Sequence, residues 1–128
     1  MSCLTLTIYG EPRSKKNSMQ IVKIGNSHRL IQSKNYRDYE AYATWQIAEA
    51  DAAYHVDYRV NVKYIFYRST KRRVDLSNLI AAADDILVHA GVLEDDNWKI
   101  VGGHDGSRIR FDPAAPRTEI TITEMEDV

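Results

Sequence analysis

The chain has 128 residues, 44% apolar and 27% charged, with a net charge of −1. That bounds one ordinary domain able to bury a core, and the lone Cys3 excludes an internal disulfide. No run approaches the roughly 20 apolar residues of a membrane span, and the N-terminus lacks a charged or long apolar leader, so a cytoplasmic protein with no membrane role is expected.

Leu4, Leu6 and Ile8 alternate with Thr5, Thr7 and Tyr9, which predicts a half-buried strand over 3–9, with Cys3 as a small buried hydrophobe. GEPRSKKNS is a loop, and MQIVKIG and HRLIQS flank a hairpin turn at Gly25-Asn26-Ser27. Tyr36, Tyr39, Ala43, Ile47 and Ala50 recur at helical spacing, which predicts a helix over 34–53. Its aromatics, Tyr36, Tyr39, Tyr42 and Trp45, suit a core face more often than a base-stacking surface. A strand over 57–67 puts Tyr58, Val60, Val62, Tyr64 and Phe66 on one side.

A second helix is expected over 75–90. Leu76, Leu79, Ile80, Ala83, Ile86, Leu87 and Ala90 form its apolar stripe, opposite Asp75, Asn78, Ala82 and Asp85. Gly91 suits the position after its end. Strands over 97–102, with Trp98 in the core, and 107–111 flank GGHDGS. That segment is a turn without the phosphate-loop pattern. RTEITITE at 117–124 is the last strand. His28, His55, His89 and His104 have no metal-ligand spacing and read as structural or exposed. The order β-β-β-α-β-α-β-β-β gives a single α+β domain, two helices packed on a mixed, mostly antiparallel sheet.

Charge is segregated. Residues 12–37 hold seven cations and no acid, and residues 58–74 hold six cations and no acid. The acids gather from Asp75 to Asp96 and at the C-terminal end. A phosphate-binding face beside a carboxylate site would have this distribution, as would a neutral protein with uneven loops.

Asp75 stands at a helix start, where an N-cap is the simple explanation. Asp95 and Asp96 precede a strand, where turn chemistry is. If the three converge, their repulsion calls for a cation, and hard oxygen ligands suit Mg²⁺ or Mn²⁺. A helix of about 16 residues spans roughly 24 Å, so VLEDDNW must run back along it for the acids to meet. Periodicity does not settle whether it does.

RRVDLSNLIAAADDILVHAGVLEDDNWKI resembles the signature region of the RusA-type Holliday junction resolvases, small metal-dependent endonucleases often encoded by phages or prophages. Asp75, Leu76, Asn78, Asp85, Leu87, His89, Ala90, Gly91, Asp95 and Asp96 match that family's pattern without a gap. GEPRSKKNS, YRDYE and EITITE are more loosely similar. The resemblance implies a Mg²⁺-dependent (or Mn²⁺-dependent) endonuclease acting on four-way DNA junctions as a homodimer. It implies Asp75, Asp95 and Asp96 as catalytic metal ligands, with Ser77, Asn78 and Asp85 as site neighbours. Lys15, Lys16, Arg68, Lys71, Arg72 and Arg73 are the expected DNA-binding residues. Two positions depart from the pattern. Ser77 stands where the family has a second aspartate, and Ala81 where it has a lysine, which Lys15, Lys16, Arg72 or Arg73 would have to replace in space. A junction-binding homologue with weak or lost cleavage is the alternative. A plain interaction module, its acids only caps and turns, is the third reading.

Overall fold

The computed structural model describes residues 3–15, 19–50 and 54–126. The elements are β1 (Cys3–Tyr9), β2 (Met19–Ile24), β3 (Ser27–Gln32), α1 (Lys34–Glu49), β4 (Val60–Arg68), α2 (Leu76–His89), β5 (Val101–Gly103), β6 (Arg108–Phe111) and β7 (Arg117–Glu124). Their order and types are those expected.

The sheet runs β1-β7-β4-β5, with β6 also on β4. β7 is the spine, antiparallel to β1 (Leu6 opposite Ile120) and to β4 (Tyr64 opposite Ile120). β5 and β6 both pair parallel to the far edge of β4, at Val60–Asn61 and at Ile65–Arg68 respectively. β2 and β3 make a separate two-stranded ribbon.

Alternation decides which side is covered. Val60, Val62, Tyr64 and Phe66 of β4 and Thr118, Ile120 and Ile122 of β7 are buried, while the residues between them are only partly so. α1 contributes Tyr36, Ala43 and Ile47 to that core, and α2 contributes Leu79, Ala82, Ile86 and Leu87. Fully burying one such aliphatic contributes about 1.5–3 kcal/mol.

Several expectations need correction. Cys3 is exposed, because it lies at the outer end of an edge strand. Trp98 is 68% exposed. It falls in a turn rather than a strand, because Asn97 folds back to accept from the Lys99, Ile100 and Val101 N–H groups. β5 is thereby cut to three residues. Tyr42 and Trp45 stack on each other in the open, and only Tyr36 of the four α1 aromatics is fully buried. α1 ends at Glu49 with Ala50 as its C-cap, and residues 51–53 lie outside the described residues. Ala82 belongs to the buried side of α2, and so does Asp84.

Candidate active site

α2 begins where the basic segment ends. Asp75 is its N-cap residue, but its side chain makes no cap bond to the backbone; one oxygen accepts from the Asn78 amide at 3.3 Å. Ser77 is exposed on the first turn. At the other end, Gly91 adopts φ 82°, a left-handed turn that lets the chain reverse, and the Val92 N–H donates to the Leu87 carbonyl. Val92 and Leu93 are buried, and Leu93 bridges to Val56. The connection therefore turns back at the end of α2, and Asp96 comes near Asp84 and Asp85 in the C-terminal half of that helix.

The two aspartates are pushed in opposite directions. Asp95 accepts from the Asp96 N–H at 2.7 Å and from the Asn97 amide at 2.9 Å, and these bonds hold its carboxyl below the usual carboxylate range. Asp96 is raised by what burial its carboxyl has, then by Asp95, Asp85 and Asp84. Those acids therefore lie within electrostatic reach of it. Asp75 stands ten residues before Asp85, about 15 Å of helix away.

Asp85 is held by the Lys15 ammonium at 2.8 Å. Ala81 lies one helical turn before Asp85, so Lys15 brings a cation to the neighbourhood that Ala81 cannot serve. Asp84, next in sequence, points the other way. It is 6% exposed, accepts the Tyr64 hydroxyl at 2.6 Å, and meets His104 Nε2 at 2.9 and 3.1 Å. Burial pushes the Tyr64 phenol well up, and Asp84 and Asp96 push it the same way.

Sequence reasoning did not single out the Asp84–His104 pair. The signal was present, since Asp84 lies four residues after Ile80 and three before Leu87, inside the apolar stripe. A carboxylate there must find partners.

The basic residues divide. Lys71, Arg72 and Arg73 are exposed beside a cleft that Arg110 and Phe111 of β6 complete, with the Lys71 ammonium 4.9 Å from the centre of the Phe111 ring. Alternation with Ile109 puts Arg110 on the open side of β6. Arg68 is largely buried and turned inward, donating to the Arg72 carbonyl and facing Glu11 at 3.8 Å. Lys15 is engaged with Asp85, and Lys16 lies outside the described residues.

Hard oxygen donors such as the carboxylates of Asp85, Asp95 and Asp96 suit a divalent cation. Among the described residues, no three acidic, His or Cys side chains form a ready-made metal-binding group. No helix among them is long and apolar enough to cross a membrane.

Two comparisons bear on this arrangement. The endodeoxyribonuclease RusA family matches residues 9–123. The crossover junction endodeoxyribonuclease RusA of Aquifex aeolicus (strain VF5) is 27% identical over 93 residues, 66% of this chain and 74% of that protein. The match spans every element from the end of β1 to β7, the acidic cluster and the basic cleft included, and the chain belongs to the RusA family of endodeoxyribonucleases.

Proposed function

We propose that the protein is a Mg²⁺-dependent endonuclease, with Mn²⁺ as a substitute, that resolves four-way DNA junctions as a homodimer. The observation that carries this is the family match over residues 9–123, which takes in Asp75, Asp85, Asp95 and Asp96 together with the basic cleft.

Asp75, Asp95 and Asp96 are the residues to hold the ion, with Ser77, Asn78 and Asp85 around them. When bound, the ion supplies an acidified water and offsets charge on the phosphate. The chain's own residues do the rest. Lys71, Arg72, Arg73 and Arg110 grip the DNA backbone, which fixes position without reading sequence. Lys15 holds Asp85 in place. Paired cuts in a substrate of near two-fold symmetry are served by two sites related by a two-fold axis.

A second reading keeps junction binding without cleavage. Ser77 and Ala81 favour it, since neither supplies the charge found at that position in the family.

Incubating the protein with a labelled four-way junction and a matched linear duplex, in Mg²⁺, Mn²⁺ or chelator, separates the two. Metal-dependent, symmetric cuts in the junction alone are the expected result. Tight binding without cuts supports the second reading, and neither binding nor cutting removes both.

A further inference from the structure

We propose that Phe111 is a base-stacking platform: its ring takes the face of an unpaired base at the branch point of the junction, while Lys71, Arg72 and Arg73 hold the phosphates beside it. This rests on the endonuclease reading and adds to it a residue that tells branched DNA from linear duplex.

Packing does not account for the ring. Ile109 and Phe111 share one side of β6, and Ile109 packs against the core. Phe111, two residues on, lies outside that core and is 50% exposed. Among the described residues that line the basic cleft it is the one aromatic, and none of them is acidic. A flat apolar ring set among cations suits a ligand that carries both an anionic backbone and an apolar face. A nucleotide has both.

The ring and the cations share one frame, and Arg68 joins them. Arg68 of β4 stands opposite Phe111 in the parallel pairing with β6, and its carbonyl accepts from the Asp112 N–H at 2.8 Å. Its guanidinium donates to the Arg72 carbonyl at 2.8 Å. Val74 lines the same cleft and Asp75 follows it, so the cleft reaches the start of α2.

In the free protein the Lys71 ammonium covers the ring, 4.9 Å from its centre. An exposed contact of this kind is weak, and a phosphate is the stronger partner for an ammonium. DNA binding draws the ammonium off and leaves the ring face to a base. Other aromatic rings are engaged elsewhere. Tyr67 of β4 has the Arg117 guanidinium 3.9 Å from its ring centre, and Tyr42 and Trp45 stack on each other.

Linear duplex offers no free base face, since each base is covered above and below by its neighbours. At a branch point the stack is interrupted, and a base leaves it at lower cost. Phe111 therefore adds to junction binding and little to duplex binding, whereas the cations add to both.

The test uses the full chain in chelator, with a labelled four-way junction and a matched linear duplex. Phe111→Leu keeps an apolar side chain and removes the ring. It should bind the junction about tenfold more weakly, with duplex affinity within about twofold of the parent. The salt slope of junction binding should not change, because no charge is lost. Phe111→Trp should keep the parental affinity. 2-Aminopurine at the branch point should brighten when the parent binds, as it leaves its neighbours, and be quenched by the indole of Phe111→Trp. A folded Phe111→Leu protein that binds the junction as tightly as the parent overturns the inference, as does a branch-point probe whose emission neither protein changes. Junction cleavage by the parent in Mg²⁺ then leaves the endonuclease reading intact. A parent that neither prefers the junction nor cuts it overturns both.

Discussion

The Tyr64 hydroxyl reaches 2.6 Å across the sheet–helix interface to Asp84 and so ties β4 to α2. Removing it strands part of a buried carboxylate. Tyr64→Phe keeps the ring and its stacking, so the loss is polar. We expect destabilisation of about 1.5–3 kcal/mol in chemical denaturation, the range for hydrogen bonds to charged groups. An unchanged midpoint would mean that His104 alone satisfies Asp84.

Asp96→Asn should separate stability from activity. Its folded carboxyl is raised, so folding favours the protonated form; stability grows as pH falls through that value and is diminished above it. Asparagine mimics the protonated form at every pH. Melting at neutral pH should therefore rise while junction cleavage falls at least about 100-fold. A lower melting temperature would contradict the charge crowding described above.

The acid limb of stability should depend on Asp112. Arg117 donates to it at 2.9 Å and holds its carboxyl below the usual range, with the Ala114 and Ala115 N–H groups assisting. A depressed carboxyl contributes above its unfolded value, about 3.9, and the contribution disappears as pH falls through the folded one. Asp112→Asn should be less stable at neutral pH and show a shallower decline below about pH 4. Melting curves across the acid range would check this.

Single substitutions Arg72→Ala, Arg73→Ala and Arg110→Ala should each weaken junction binding and reduce its salt dependence by about one unit of log–log slope. Arg68→Ala should act on folding instead, because that guanidinium bonds the Arg72 carbonyl and faces Glu11. Binding titrations at several salt concentrations distinguish the two classes.

Ser77→Asp should tighten Mg²⁺ and speed cleavage about tenfold or more. The new charge also sits in the first turn of α2, which carries no acid, where the helix dipole stabilises it by about 0.3–1 kcal/mol. Metal titration and melting in chelator read the two effects apart.

The elements were legible because their periods are clean. β4 and β7 alternate along their length, and α2 carries an apolar stripe from Leu76 to Ala90 with Asp84 set into it. Asp75, Asp95 and Asp96 stand out as candidates through the family resemblance, since periodicity does not say whether they meet. Three things were not legible. Trp98 went wrong because the Asn97 side chain outcompetes strand pairing through local bonds. The parallel seating of β5 and β6 on one edge of β4 is non-local and leaves no periodic trace. Asp84 falls visibly inside the apolar stripe, but its partners come from positions 64 and 104 and leave no local trace.

The divided edge of β4 also has a bearing on synthesis. β5 and β6 enclose the turn that carries His104, and both precede β7, the strand that joins β4 to β1. A nascent chain that has emerged only through α2 holds Asp84 with Tyr64 alone, its imidazole still inside the ribosome. The carboxylate then lacks its second partner, and the sheet lacks its spine. Native pairing of β1 with β4 through β7 waits on residues 117–124. A ribosome-bound fragment halted before residue 104 should accordingly be far more protease-sensitive than the released protein.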